Sequence, residues 1–209
     1  NTAGGILGFT ELMRANFPKD SPQDHELANL EELAEQLLEE IESQRDLTYA
    51  ESGDLDPDFQ PLELHPFLAR IAALYSRHPV AQGKNLVMHE VWNGAVTTDK
   101  RLLGRVLGNM IKNALEACET GGRVTVRCSD LGSHVAFLVH NAEVMPEEVQ
   151  MQVFQRSFST KGQPGRGIGT HSMKLFGERY LMGKVSFLSR DPDGTTFKLV
   201  LPKQPTTMR

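Results

Sequence analysis

A seam of regularly spaced residues limits this chain before anything else does. It runs through Leu27, Leu30, Ala34, Leu37, Ile41, Gln44 and Thr48, alternately three and four apart, flanked by Leu33 and Leu38. The remaining positions between 22 and 52 are rich in Glu and Gln. This spacing holds one stripe of a helix apolar along its whole length. A shorter stretch of the same kind opens the chain, at Ala3, Ile6, Thr10, Met13 and Phe17. Between them Phe17-Pro-Lys-Asp-Ser-Pro-Gln-Asp24 carries two prolines, which interrupt a helix. Residues 1–52 therefore read as a helical hairpin. Two helices alone bury little, so a stripe this wide asks for a partner. Pairing two copies would give a four-helix bundle and a homodimer through residues 1–52. The alternative is a hairpin packed on the rest of its own chain.

The seam ends at Ser52-Gly-Asp-Leu-Asp-Pro-Asp58, an acidic, turn-rich stretch of the composition that separates domains. It divides the chain into 1–54 and 55–209. Beyond it helical and strand patterns mix, so the fold class is α+β. Strands are expected at 59–64, 86–91, 123–128, 135–139, 184–189 and 196–201. Helices are expected at 65–76, 100–118, 146–154 and 170–181, with Asp99 capping the second of them. A net charge of −5 argues against nucleic acid as a partner, because phosphate-backbone affinity needs clustered Lys and Arg. No apolar run has the length of a membrane span, so no membrane contact is expected within these residues. Cys118 and Cys128 form no metal-like pair and read as small apolar residues in a reducing compartment, which favours a cytoplasmic location. The chain opens at Asn1-Thr-Ala-Gly-Gly without Met, as expected of a piece of something longer.

Two stretches carry chemistry. Phe154-Gln-Arg-Ser-Phe-Ser-Thr-Lys161 leads into Gly165-Arg-Gly-Ile-Gly169, just before a helical pattern. Glycines at a helix start let backbone N–H groups approach an anion, and Arg156, Lys161 and Arg166 add positive charge. A polyphosphate is the simplest ligand, although glycine-rich turns are commoner than nucleotide sites. The second stretch is helix 100–118. Leu103, Val106, Leu107, Met110, Ala114 and Leu115 make its apolar face; Asn109, Lys112, Asn113 and Glu116 share another. A polar face is ordinary on a helix. Two Asn residues one turn apart are less so, because Asn is a mediocre helix former. An amide oxygen is a hard, neutral ligand suited to Mg²⁺.

With those residues in view the chain resembles the sensor histidine kinases. Asn109-Met-Ile-Lys-Asn-Ala-Leu-Glu-Ala117 looks like their N box and Phe154–Lys161 like their F box. Gly165–Gly169 is similar to their second glycine box, and Asp193-Gly-Thr-Thr-Phe197 to their final Gly-Thr motif. All four stand in family order. The resemblance implies a two-layer α/β sandwich with a mixed sheet, the Bergerat or histidine-kinase ATPase fold, with ATP between the N-box helix and a lid. It implies Asn113 as the Mg²⁺ ligand, with Asn109 supporting the ion–phosphate cluster and Lys112 and Lys161 meeting phosphate oxygens. Gly165, Arg166, Gly167, Ile168 and Gly169 would wrap the triphosphate. Thr195 would sit near adenine, while Phe154 and Phe158 would pack the base of the lid. The hairpin resembles the dimerisation and phosphotransfer helices, so a response-regulator receiver domain is the implied partner.

Two departures from the family pattern stand out. Asn141 occupies the place of the Asp that accepts the adenine amino group, within Val139-His-Asn-Ala-Glu-Val-Met-Pro146, where the family's first glycine box has glycines. Glu143, nearby, reads as a solvated loop residue. Residues 1–17 also contain no histidine, so the phosphoacceptor is expected before Asn1. Hydrolytic ATPases of the same fold need a Glu general base one turn before the Mg²⁺ ligand. Asn109 stands there, and an amide cannot take the proton. The remaining alternative is a nucleotide-free pseudokinase that serves as a dimeric scaffold.

Overall fold

A computed structural model describes residues 2–19, 21–155 and 168–205. The chain divides into two compact units, Asn1–Leu55 and Asp56–Arg209. The first is a hairpin of α1 (Thr2–Arg14) and α2 (Pro22–Ser52). Ser21 starts α2 by accepting the Asp24 N–H at 3.1 Å, and Pro22 occupies a first-turn position that has no use for an N–H. Gly53 ends it in the left-handed region, φ 88°, with its own N–H on the Tyr49 carbonyl. Arg14, at the last turn of α1, donates to Asp24 at 2.9 Å and to Glu31 at 2.6 Å, pinning the connection. Thr10, Leu27 and Ala34 are buried. Phe9, Leu12, Leu30, Leu33, Leu37 and Ile41 are exposed. The hairpin thus leaves much of its apolar surface in water.

The second unit is α+β. A two-stranded antiparallel sheet pairs β1 (Gln60–Glu63) with β3 (Ala95–Thr98). A five-stranded sheet combines β2 (Asn85–Val91), β4 (Arg123–Asp130), β5 (His134–Asn141), β6 (Lys184–Arg190) and β7 (Gly194–Pro202). Its order is β2-β4-β5-β7-β6, with β2 and β4 parallel and every other pair antiparallel. The sheet is therefore mixed. Helices α3 (Leu64–Arg77), α4 (Lys100–Ala117), α5 (Glu147–Gln150) and α6 (Ile168–Lys174) complete the unit, and α6 runs on as a π-helical stretch, Leu175–Tyr180.

The core forms where two periodicities meet. Val124, Val126 and Cys128 of β4 are buried, as are Val135, Phe137 and Val139 of β5 and Phe197, Leu199 and Leu201 of β7. These are the alternate positions of each strand. Leu102, Leu103, Val106, Leu107, Met110, Ile111, Ala114 and Leu115 of α4 are buried too, and α4 packs on β4, β5 and α6. Each large apolar side chain in that stripe contributes roughly 1.5–3 kcal/mol on burial. That outweighs the few tenths per residue that separate helix propensities, so packing decides where α4 lies.

Asp99 starts α4 as the sequence predicts, with Oδ1 accepting the Leu102 N–H at 2.9 Å. It also does something the sequence does not suggest: Oδ2 accepts the Asp58 N–H at 2.9 Å, tying the entry of the unit to the helix start. Strand β3 was not expected. It is four residues long between Gly94 and Asp99, too short for an alternating pattern to stand out, and it gives β1 its partner outside the main sheet. The helix expected at 146–154 is only the turn Glu147–Gln150, with no side-chain cap at Pro146.

Replacing Asp99 by Ala removes both acceptors at once. The expected loss is about 2–4 kcal/mol, from a lost helix cap and a second backbone donor left without its partner. Urea denaturation monitored by circular dichroism checks it. A loss below about 0.5 kcal/mol would mean that neither bond contributes to stability.

Candidate functional site

The polar face of α4 carries Asn109, Lys112, Asn113 and Glu116, all half-buried. The apolar stripe described above orients it. Asn109 Nδ2 donates to Ser172 Oγ at 3.0 Å, and that hydroxyl donates onward to the Gly169 carbonyl at 2.9 Å. A Cβ on Gly169 would lie 3.4 Å from Asn109 Oδ1, so the first turn of α6 passes close over the amide. Residues far apart in sequence, Asn109 and Gly169, are thereby brought together. One turn further along α4, Asn113 Nδ2 is buried and has no hydrogen-bond partner among the described residues. An unmet buried polar atom costs about 1–3 kcal/mol. The two ends of an amide exchange by a half-turn of the side chain, so the same position can present an oxygen. That donor suits a hard cation such as Mg²⁺, which takes few protein ligands and completes its shell with water and phosphate. Among the described residues no cluster of three or more His, Cys, Asp and Glu offers a different metal cage.

A second constellation lies at one end of the five-stranded sheet. Register pairs Asn141, the last residue of β5, with Thr195 of β7, and both are buried. Asn141 Nδ2 donates to Glu143 Oε2 at 2.8 Å. Glu143 Oε1 accepts the Glu119 N–H at 2.8 Å, just past the end of α4. The Met145 N–H donates to Ser189 Oγ at 2.8 Å. Thr195 Oγ1 donates to the Glu143 carbonyl at 2.8 Å, so the 2.7 Å contact between Ser189 and Thr195 uses the serine proton. Gly194 allows the strands to close on each other. Its φ is +73°, and a Cβ there would fall 2.3 Å from the Asn141 carbonyl oxygen.

Glu143 is therefore not the solvated loop residue the sequence suggests. Burial pushes its carboxyl pKa up, but hydrogen bonds from Asn141 and from backbone N–H groups outweigh that and hold it below the usual carboxylate value. Phe154 packs edge-on to Phe187 at 5.6 Å and to Phe197 at 6.4 Å, with Lys174 Nζ 5.3 Å from its ring centre. Ile168 begins α6. Phe158, Lys161, Gly165, Arg166 and Gly167 lie outside the described residues. Ser172 and Ser189 escaped the sequence reading. The only hint for Ser172 is its position three residues after Gly169, where a hydroxyl can reach back to a carbonyl.

Residues 98–205 match the model of the histidine kinase-, DNA gyrase B- and HSP90-like ATPases. The chain belongs to this family, among its sensor histidine kinases. It is similar to the sensor protein DivL of Caulobacter vibrioides, 26% identical over 209 residues that cover 98% of this chain and 27% of that protein. The solved catalytic domain of the histidine kinase ThkA shares its fold at a TM-score of 0.63 and 26% identity, over 71% of this chain and 97% of that one. Full-length ShkA, solved with AMPPNP, superposes at a TM-score of 0.69 and 20% identity over 96% of this chain and 43% of that one, a likeness of fold. This chain spans a minority of the length of its curated relatives, 39% and 27% of the first two. No described helix is long and apolar enough to cross a membrane.

The Asn109–Ser172 bond joins α4 to α6 and should appear as an energetic coupling. In a double-mutant cycle with Asn109→Ala and Ser172→Ala, the coupling expected is about 0.5–1.5 kcal/mol in thermal or chemical unfolding. Strict additivity would mean that the two helices are held by packing alone.

Proposed function

We propose that the chain is the core of a two-component sensor kinase that binds Mg-ATP and transfers the γ-phosphoryl to a histidine outside residues 1–209. A receiver-domain aspartate of a response regulator takes it next. The observation that carries this reading is the buried Asn113 amide without a partner, one turn from an Asn109 held against the start of α6. Family membership over residues 98–205 supports nucleotide as the ligand.

In this reading Asn113 holds Mg²⁺, Asn109 supports the same cluster, and Lys112 and Lys161 neutralise phosphate oxygens. Gly165, Arg166, Gly167, Ile168 and Gly169 supply backbone and charge around the phosphates. Asn141 and Thr195 form the adenine end. Bound ATP supplies the phosphoryl group, and Mg²⁺ offsets its charge. The protein's contribution is position and electrostatics, which amides, lysines and backbone N–H groups can provide without a general base. Asn109 fits that division of labour. It is neutral and engaged with Ser172, so it activates no water, and transfer is favoured over hydrolysis.

The exposed stripe of Leu30, Leu33, Leu37 and Ile41 on α2 supports a homodimer through residues 1–52, with a bundle that presents the acceptor histidine. A cytoplasmic location follows from the ATP and response-regulator chemistry. The alteration around Asn141 favours one other reading, a pseudokinase scaffold that binds nucleotide weakly or not at all.

Radiolabelled ATP separates the two. The chain extended upstream to include the acceptor should acquire acid-labile phosphate, and Asn113→Ala should reduce labelling at least 100-fold, a loss of roughly 2.7 kcal/mol or more of transition-state stabilisation. Labelling that survives Asn113→Ala would remove the metal from that residue. Absence of labelling in an extended chain that contains the histidine would favour the scaffold. Charged residues at Leu37 and Ile41 together should convert dimer to monomer in sedimentation, because burying unpaired charge costs several kcal/mol. A wild-type chain that is monomeric at micromolar concentration would overturn the dimer.

A further inference from the structure

Asn141 closes β5 with its side chain almost wholly buried, yet among the described residues its only side-chain bonds run from Nδ2 to Glu143, at 2.8 Å to Oε2 and 3.5 Å to the backbone carbonyl. Its Oδ1 has no hydrogen-bond partner among the described residues. A free amide is ambiguous: one end donates, the other accepts, and the two ends have nearly the same shape. Facing a nucleobase, it could accept from the amino group that adenine carries at carbon 6 or donate to the carbonyl that guanine carries there. An ionised carboxylate removes the ambiguity, since it can only accept and so binds the NH₂ end.

We propose that Glu143 is a positioning residue that sets base selectivity: it holds the Asn141 amide with its NH₂ group turned to the carboxylate and its oxygen left for the adenine amino group. The inference rests on the nucleotide-site reading above and adds a determinant to it. Three separate pieces of the fold hold the lock in place. The Glu119 N–H past α4 takes Oε1, Thr195 of β7 takes the backbone carbonyl of Glu143, and Asn141 of β5 takes Oε2. Gly122, in the turn before β4, lets the chain pass close to the end of α4, since a Cβ there would fall 2.6 Å from Cys118 Sγ and 3.0 Å from the Glu119 carbonyl oxygen. Hydrogen bonds hold the carboxyl below its usual range despite burial, so it remains an acceptor at neutral pH. The pair also accounts for an amide at 141. An Asp there would face Glu143 across 2.8 Å, a separation at which two carboxylates do not both ionise.

Calorimetric titration of the 209-residue chain with Mg-ATP and with Mg-GTP tests the lock. The wild-type chain should prefer ATP. Glu143→Ala frees the amide to turn, and the ATP-to-GTP affinity ratio should fall roughly tenfold, the preference one hydrogen bond supplies. Asn141→Asp alone should weaken ATP several-fold, and adding Glu143→Gln to it should restore the loss. An unchanged ratio in Glu143→Ala, with both nucleotides weakened equally, would make Glu143 merely structural and overturn the proposal. Should Glu143→Ala fail to fold, the second pair decides, and no recovery in Asn141→Asp/Glu143→Gln overturns it. A wild-type chain that binds neither nucleotide sinks the nucleotide-site reading itself, and the lock with it. Binding with no base preference sinks the lock alone.

Discussion

Burial of the apolar stripe on α4 against the five-stranded sheet is the constraint on which the rest depends. Eight side chains from Leu102 to Leu115 lie in the core, and they fix the rotation of the helix about its axis. With the rotation fixed, Asn109, Lys112, Asn113 and Glu116 have no choice of direction; all four are left half-buried on the remaining face. Helix and sheet are joined at the far end as well, where the N–H of Glu119 meets the carboxylate of Glu143. A functional face on a helix is accurate only when its opposite face is rigid, and here the rigidity comes from side chains that take no part in chemistry.

From that base two polar clusters follow, each closed by a short hydrogen-bonded chain. One runs Asn109, Ser172, Gly169 and sets the first turn of α6 against α4. The other runs Met145, Ser189, Thr195, Glu143 and holds the exits of β5 and β6 to the start of β7. Buried hydroxyls in such chains are satisfied at both ends, which makes them stiff and costly to break singly. On the polar face of α4 the Asn113 amide departs from that pattern, its Nδ2 buried and unmet among the described residues. A polar group left so in an otherwise satisfied region is the kind of departure that ligand sites show.

Much of this was legible beforehand, and the reasons differ by element. The bounds of α2 follow from Ser21-Pro22 at one end and Gly53 at the other, because caps and breakers act locally. The strands of the large sheet follow from period-two burial, and α4 from its stripe. The Asn109–Asn113 spacing pointed to the candidate site, because each residue type carries its chemistry wherever it is placed. What stayed hidden depended on register and approach. Nothing local distinguishes Glu143 from any loop carboxylate; its role exists only because the Asn141–Thr195 register and the end of α4 converge on it. Strand β3 is too short to show a period, and Ser172 matters only through its bond to Asn109, 63 residues away.

The central claim is that the polar face of α4 is a Mg-nucleotide site, and metal-dependent binding addresses it most directly. Calorimetric titration of the chain with ATP, run once with Mg²⁺ and once with the metal chelated, should show saturable one-site binding that weakens at least tenfold without the metal, a change of about 1.4 kcal/mol or more. Binding indifferent to Mg²⁺ would contradict the role given to Asn113, and no binding at millimolar ATP would contradict the account as a whole.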